Sequence, residues 1–151
     1  MTATEQRPAG SADGGPGRPH VYEFAIRFGD VDMYRHVNNV TFVAYLEDAR
    51  TAMMFIDPVK RGIQPVGGCV VHHHEIDYLR PLSFRTEPVR MLTTVRDITA
   101  VKFTLDHELV DDDQSYLRAT TILAAYDVDQ ARPRRLRPDE RAYLSEFTPA
   151  N

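Results

Sequence analysis

The longest helical pattern in the sequence begins directly after a turn that is dense in polar residues. Five apolar residues recur at spacings of four, three, four and three: Phe42, Leu46, Ala49, Met53 and Ile56. This is the period of one helix face, and Val43 and Tyr45 widen the stripe. A helix that is apolar around much of its circumference is surrounded by other elements. We therefore expect this helix to form the centre of the core and to end before Pro58.

Five segments with strand character accompany the helix. Tyr22, Phe24, Ile26 and Phe28 alternate with other residues before the turn, as in a strand with one buried face. Four more strand patterns follow the helix, at 69–80, 89–96, 101–109 and 116–126. A single antiparallel sheet must curl around one apolar helix to cover it. The predicted fold is therefore α+β, with a five-stranded antiparallel sheet wrapped around one long central helix and its edges covered by a partner subunit.

The composition divides the chain into three parts. Residues 1–19 consist largely of Gly, Pro, Ala and Thr, which cannot bury enough surface to order, so we expect a flexible tail and no secretory signal. Residues 20–130 contain the helix and strand patterns and form the predicted domain. Residues 131–151 are a basic connector and a short C-terminal helix opened by Pro138.

Charge, hydropathy and cysteine content exclude several classes of protein. A net charge of -4 and a pI near 5.8 argue against nucleic-acid binding, which usually requires a basic surface. No apolar run approaches the ~20 residues of a membrane span. Cys69 is the only cysteine, so no intramolecular disulfide is possible and a cytoplasmic location is the simple expectation.

Neither a cofactor nor a metal ion is expected from the sequence. The run His72-His73-His74 invites a metal site, but only His72 and His74 share a face of a strand. With no further ligand nearby, we expect these two to line the interior or a subunit interface together with Val70 and Ile76. Cys69 is interpreted as a small buried apolar residue, because nothing beside it in sequence would lower its pKa.

Three side chains that handle protons or hydrogen bonds collect where the helix begins: Asp32, His36 and Asn39. The first N–H groups of a helix have no partner within the helix and attract negative charge. Asn38 or Asn39 can cap this end. The turn is therefore the candidate site for chemistry, although Asp and Asn also commonly cap turns without any further role.

Two motifs resemble those of a known enzyme family. Residues 32–39 (DMYRHVNN) and 45–50 (YLEDAR) resemble the signature of hotdog-fold acyl-CoA thioesterases of the 4-hydroxybenzoyl-CoA thioesterase type, most closely the bacterial long-chain acyl-CoA thioesterases. Residues 75–81 (EIDYLRP) resemble the long second strand of that family. The likeness spans about residues 20–128. It implies homodimers joined through this strand, often homotetramers, with active sites between two subunits.

The resemblance implies a catalytic carboxylate at Asp32 rather than Asp30. Plant acyl-carrier-protein thioesterases share a related motif, in which an Asn stands where this sequence has Tyr34. Asp32 would act as general base or as nucleophile, and both remain open. Backbone N–H groups near Asn39 and Val40 would stabilise the oxyanion, while His36 and Asn39 would position water or the thioester oxygen.

The remaining candidates concern substrate binding. The predicted contacts at the turn are Tyr34, Asn38 and Val40, and the predicted partners of the coenzyme A phosphates are Arg80, Arg96 and Lys102. Glu47 is interpreted as structural, because its spacing to Arg50 suits an ion pair on the helix.

The leading function is hydrolysis of a fatty or aromatic acyl-CoA to free acid and CoA. Two alternatives stay open at this stage. One is release of an acyl chain from a carrier protein, which the basic run Arg132–Arg137 could dock. The other is a hotdog protein that binds acyl-CoA without turnover, since fold alone does not fix function.

Overall fold

The structure, a computed structural model, describes residues 16–151, so most of the predicted tail lies outside the described residues. The strands are β1 His20–Phe24, β2 Cys69–Tyr78, β3 Val89–Arg96, β4 Lys102–Val110, β5 Ser115–Asp127 and the short β6 Arg132–Pro133. Every strand pairing is antiparallel, in the order β1-β3-β4-β5-β2, with β6 added beside β5. The five main strands curl around one long helix, which confirms the predicted hotdog architecture. β1 and β2 are the two edges.

The central helix continues beyond the predicted end at Pro58. It is α-helical over Asn39–Thr51, widens into a π-helical segment over Ala52–Ile56, and closes with an α-helical turn over Asp57–Lys60. Proline has no N–H, so it leaves a carbonyl of the preceding turn without a helical partner. That carbonyl, Met54 O, accepts from Val66 N–H at 3.0 Å instead. A wider turn with outside donors therefore carries the helix past the proline.

The π-helical segment also changes which residues are buried. Leu46, Ala49 and Met53 are fully buried as predicted, but Ile56 is 46% exposed. An extra residue in the turn shifts the phase of the helix, so the predicted apolar stripe ends early. Val43 is also partly exposed, contrary to the expectation that the helix is enclosed on that side.

The buried residues form two apolar clusters along the helix. One surrounds Phe42, Tyr45 and Leu46, and the other surrounds Met53 and Met54 and includes the C-terminal helix. That helix spans Pro138–Ser145, as predicted from its opening proline. None of the helices in residues 16–151 is long and apolar enough to cross a membrane.

Two strand predictions were wrong in detail. β1 ends at Phe24, and Phe28 lies in a 3-10 turn (Phe28–Asp30), where its side chain is exposed. β2 contains a bulge between Val71 and His73. A bulge reverses the alternation of faces. His72 is therefore exposed and does not share the inner side of His74, contrary to the prediction.

The basic connector is held in place by one buried carboxylate. Glu140 is 2% exposed and accepts two hydrogen bonds from the Arg134 guanidinium, at 2.8 and 2.9 Å. It also accepts from the backbone N–H groups of Gly67 and Arg137. Such bidentate, fully satisfied pairs hold two segments in a fixed geometry. The connector is therefore part of the packed domain and not simply a solvated segment.

Candidate active site

The turn before the central helix is a tight loop closed on itself. Val31 and Val37 form an isolated antiparallel bridge, and Asp32 N–H donates to His36 O at 3.0 Å. Arg35 N–H donates to Asp32 O at 2.9 Å, with Arg35 in the left-handed region at φ 67°. A residue with a β-carbon adopts that conformation only where the surroundings impose it. The loop therefore presents Asp32 in a defined place.

Two backbone hydrogen bonds anchor the end of this loop, one to the segment that follows β2 and one to the 3-10 turn. Val37 is 4% exposed, and its N–H donates to Leu82 O at 2.7 Å. Asn38 N–H donates to Asp30 O at 3.0 Å. Since both anchors use backbone groups, side chains of the loop remain available to a ligand.

Asp30 and Asp32 occupy opposite environments although one residue separates them. Asp30 is 6% exposed and accepts from Tyr45 Oη at 2.6 Å and from Arg27 N–H at 2.9 Å. Burial acts to raise its pKa, but these hydrogen bonds and the Arg27 charge leave the pKa lowered. Burial and the Asp30 carboxylate raise the pKa of Tyr45. Asp30 therefore fastens the loop to the helix.

Asp32 is half-buried and lines an open cavity of about 490 Å³. One carboxylate oxygen accepts from Tyr34 N–H at 2.9 Å, and the other accepts from Asn38 Nδ2 at 3.3 Å. The rings of Phe28 and Phe84 meet edge to face, 5.8 Å apart, and form an apolar wall of the same cavity. A held carboxylate thus adjoins an apolar surface that a substrate can occupy.

The beginning of the helix supplies two unused amides. Asn38 is the cap, and its Oδ1 accepts from Val40 N–H at 2.9 Å, so that amide is occupied in this arrangement. Asn39 N–H and Thr41 N–H meet no acceptor within residues 16–151. Tyr78 Oη donates to Asn39 O at 3.2 Å and connects β2 to the same end of the helix. Asn39 N–H is therefore a free donor that the helix start can offer to an oxyanion.

The other predicted residues of the turn point to solvent. Tyr34 and Val40 are 74% and 69% exposed, and His36 and Asn39 are exposed as well. No hydrogen bond joins the side chain of His36 or Asn39 to Asp32 in the described chain. Asp32 and Asn38 are the predicted side chains that the structure brings into direct contact.

The predicted phosphate contacts are not brought together within one chain. Arg80 donates to Ser115 O at 3.0 Å, near the start of β5, whereas Lys102 pairs with Ala124 near its end. Nine residues of strand separate these positions, or roughly 30 Å. Arg96 is bound to Asp106 at 2.6 Å. Arg80 is therefore the only one of the three that lies at the end of the sheet where β2 meets the helix start.

The prediction from sequence missed a buried polar band on the inner face of the sheet. Thr93 Oγ1 lies 3.0 Å from His107 Nδ1, and Thr121 Oγ1 lies 3.4 Å from His107 Nε2 and 2.9 Å from His74 Nδ1. The band crosses β3, β4, β5 and β2 between the two apolar clusters. Burial, followed by the charge of Arg50, lowers the pKa of His107 to about 3, so this imidazole is neutral near pH 7. The sequence contained a signal for this band, namely polar residues at the inward-facing positions of the alternating strand patterns.

A second cavity of about 300 Å³ lies between the later half of the helix and β2. Its lining includes Glu47, Arg50, Met54, Cys69 and Val71. The predicted ion pair between Glu47 and Arg50 does not form within 4.0 Å. Burial raises the pKa of Cys69 to about 11, which fits an unreactive thiol.

Comparisons with known proteins show which family and which solved structures the chain is similar to. The model of the thioesterase-like superfamily matches residues 26–144. No curated protein sequence matches the chain significantly. A thioesterase from Thermus thermophilus, solved with coenzyme A and zinc, is 25% identical, covers 85% of this chain and 98% of its own, and has a TM-score of 0.69.

Two further solved structures share the fold. A predicted thioesterase from Bacillus stearothermophilus is 18% identical over 87% of this chain and 98% of its own, with a TM-score of 0.72. A 1,4-dihydroxy-2-naphthoyl-CoA thioesterase from Synechocystis is 17% identical over 82% of this chain and 93% of its own, with a TM-score of 0.67.

Proposed function

Because this chain belongs to the thioesterase-like superfamily, we propose that it hydrolyses an acyl-CoA to the free acid and CoA, with Asp32 as the catalytic carboxylate. The observation that carries the proposal is the place of Asp32. Its carboxylate is held by Tyr34 N–H and Asn38 on an open cavity, at the end of the helix where Asn39 N–H is free. The thioester carbonyl would lie between the carboxylate and this amide.

Each part of the turn has a role in the proposed reaction. Asp32 either removes a proton from water, an effect worth about 10²–10⁴ in rate, or attacks the carbonyl carbon to form a mixed anhydride. Asn39 N–H donates to the oxyanion, and one such donor is worth about 10²–10³ in rate. Asn38 orients Asp32, and the exposed side chains of His36 and Tyr34 contact the substrate only once it is bound.

We also propose that the active unit is at least a homodimer. β2 is an edge strand, and seven of its ten residues are exposed. An unpaired edge of this length invites pairing with a second copy. The pairing would place the side chains of one β2 beside the helix of the other subunit. Light scattering tests the assembly, and a monomer at all concentrations contradicts it.

The proposed function is tested by thiol release from a series of acyl-CoA substrates. We expect hydrolysis by the wild-type chain and a loss of about 10²–10⁴ in kcat for Asp32→Asn, with the fold unchanged by circular dichroism. Asp129→Asn, which removes an exposed carboxylate far along the chain, is the matched control and should retain full activity. Full activity of Asp32→Asn would remove Asp32 from the reaction.

A single turnover in ¹⁸O-labelled water tests one route of nucleophilic attack by Asp32. If Asp32 is the nucleophile and water cleaves the anhydride at the Asp32 carbonyl, the label enters the side chain and is found by peptide mass spectrometry. If Asp32 is a base, or if water cleaves the anhydride at the acyl carbonyl, the label enters only the released acid. Parallel assays with acyl-carrier protein, and binding without turnover, address the two alternative functions.

A further inference from the structure

The central helix and β2 lie side by side, joined at one end and separated at the other. Tyr78 bonds to the backbone of Asn39 at the helix start and packs against Phe42. Near the opposite end of β2, Cys69 and Val71 face Met54 across the 300 Å³ cavity. The helix and β2 therefore both extend from the turn at Asp32 to this cavity. The volume of the cavity exceeds the roughly 150 Å³ that holds a benzene ring.

The cavity contains a guanidinium that makes no close ion pair. Within residues 16–151, the guanidinium of Arg50 makes no hydrogen bond and no salt bridge, and its Nη1 is buried. Glu47, one helical turn away, also lines the cavity but is exposed and does not reach Arg50. Burial lowers the pKa of Arg50, although the Glu47 charge opposes this shift. A buried N–H without an acceptor on a partly buried cation is costly, so this position favours a ligand that brings an anion.

A second buried atom without a partner lies near Arg50. His74 Nε2 is buried and unpartnered, while its Nδ1 is bound to Thr121 Oγ1. His74 is the next inner-facing residue of β2 after Val71, and Val71 lines the cavity together with Arg50. Burial and the charge of Arg50 lower the pKa of His74. The polar band behind His74 fixes the orientation of its ring. A fixed imidazole and a guanidinium together form a place for a carboxylate, which accepts several hydrogen bonds at once.

We propose that the cavity at Arg50 and His74 binds a terminal carboxylate on the acyl group, so that the preferred substrates are CoA thioesters of dicarboxylic acids. This rests on the proposed function and specifies its substrate class. The apolar residues Met54, Val71 and Leu123 surround the carbon chain next to the carboxylate. Glu47 at the cavity mouth disfavours a carboxylate that stops short of Arg50.

The helix gives an approximate length for the acyl chain. Eleven residues separate Asn39 from Arg50, which is about 16 Å along the axis. An extended chain covers about 3.3–3.6 Å per three bonds, so roughly fourteen bonds connect the thioester to the carboxylate. Dicarboxylic acyl groups much shorter than this gain nothing from Arg50.

Non-hydrolysable thioether analogues of acyl-CoA test the proposal without turnover. S-(ω-carboxyalkyl)-CoA is compared with S-alkyl-CoA of the same length, over roughly four to sixteen carbons, by isothermal titration. We expect the carboxylate to tighten Kd by about tenfold to a hundredfold at one favoured length. No advantage at any length overturns the proposal, whether or not the protein hydrolyses acyl-CoA.

Three variants identify the group responsible. Arg50→Gln should abolish the advantage of the carboxylate and leave the affinity for S-alkyl-CoA within about twofold, whereas Arg50→Lys should restore part of it. Arg118→Gln, on the outer face of the sheet beside Glu108, is the matched control. It should change neither the advantage of the carboxylate nor the affinity for S-alkyl-CoA. An advantage that persists in Arg50→Gln overturns the assignment. The assignment is also overturned if Arg50→Gln dissociates the dimer while the difference in affinity between the carboxyalkyl and alkyl analogues is unchanged. Arg50 would then bind the partner subunit.

Discussion

The turn at the helix start and the polar band beneath the helix are both rich in titratable groups, but they are built in opposite ways. The turn takes its polar groups from residues 30–39, and backbone N–H groups of the same segment hold its carboxylates. The band takes Thr93, His107, Thr121 and His74 from four strands, and these side chains satisfy one another. The turn is open to a cavity, whereas the centre of the band is sealed.

This difference separates reactivity from stability. An accessible carboxylate such as Asp32 is available to a substrate, and its removal leaves few buried groups unpaired. A buried polar group needs a hydrogen-bond partner. Removing one partner therefore leaves the other unpaired and lowers the stability of the whole fold. The band is nevertheless unsatisfied at the β2 edge, where His74 Nε2 has no partner and Arg50 lines the second cavity. This end of the band therefore shares with the turn a polar group that is available to a ligand.

The largest expected effect on stability belongs to the one buried carboxylate of the turn. Asp30→Ala removes the acceptor of Tyr45 Oη and of Arg27 N–H. We expect the free energy of unfolding to fall by about 3 kcal/mol in urea titrations, because charge-assisted bonds are lost and the Tyr45 hydroxyl is left unpaired. In the double variant with Tyr45→Phe the two losses should not add. If Asp30→Ala lowered the free energy of unfolding by less than Asp32→Asn does, the two aspartates would have been assigned the wrong roles.

The pH dependence of stability comes next in size. The folded pKa of His107 is about 3, below its ordinary value near 6.5, so the unfolded chain binds more protons between these limits. Stability contributed by neutral His107 is therefore complete above pH 6.5 and falls as the pH decreases, by up to about 1.4 kcal/mol per pH unit. Arg50 and His74 increase this dependence, and Asp106 opposes it.

Urea titrations from pH 7 to about pH 4.5 measure this slope before most carboxylates titrate. His107→Gln should flatten it, while His72→Gln, which removes an exposed histidine, should leave it unchanged. An unchanged slope in His107→Gln would show that the band is not sealed from water.

A smaller and opposite effect is expected at the unsatisfied end of the band. Arg50→Met replaces a partly buried, unpaired guanidinium by a shorter apolar chain. We expect the free energy of unfolding of the ligand-free protein to rise by about 1 kcal/mol, because the cost of burying the charge disappears. A loss of stability would show that the guanidinium is already paired, for example across the subunit interface.

The smallest effect concerns the contact between β2 and the helix start. Tyr78→Phe removes the hydrogen bond to Asn39 O and keeps the ring contact with Phe42. Since the hydroxyl is exposed, we expect a loss of about 0.5 kcal/mol. The measurement is a urea titration beside Tyr34→Phe, whose exposed hydroxyl has no such bond. Equal free energies of unfolding for the two variants would mean that the hydrogen bond from Tyr78 to Asn39 does not contribute to stability.

Much of the fold was predictable because it depends on local patterns. Strand alternation gave four of the five main strands to within about two residues, and the polar turn placed the helix start at Asn38 and Asn39. The effects of Pro58 on the helix and of the bulge on β2 were harder to predict from the sequence. Whether a helix passes Pro58 depends on distant donors, here Val66 N–H, and whether His72 faces inward depends on the pairing of β2 with β5.

By itself, the sequence determined the turn, the helix that follows it and the neighbourhood of Asp32, because all three lie within one short segment whose hydrogen bonds are local. Only the tertiary structure decided that Asp30 is buried while Asp32 lines a cavity, and that Arg50 lines a second cavity with residues of β2. These facts depend on burial and on contacts between residues far apart in the chain, and a linear pattern does not contain them.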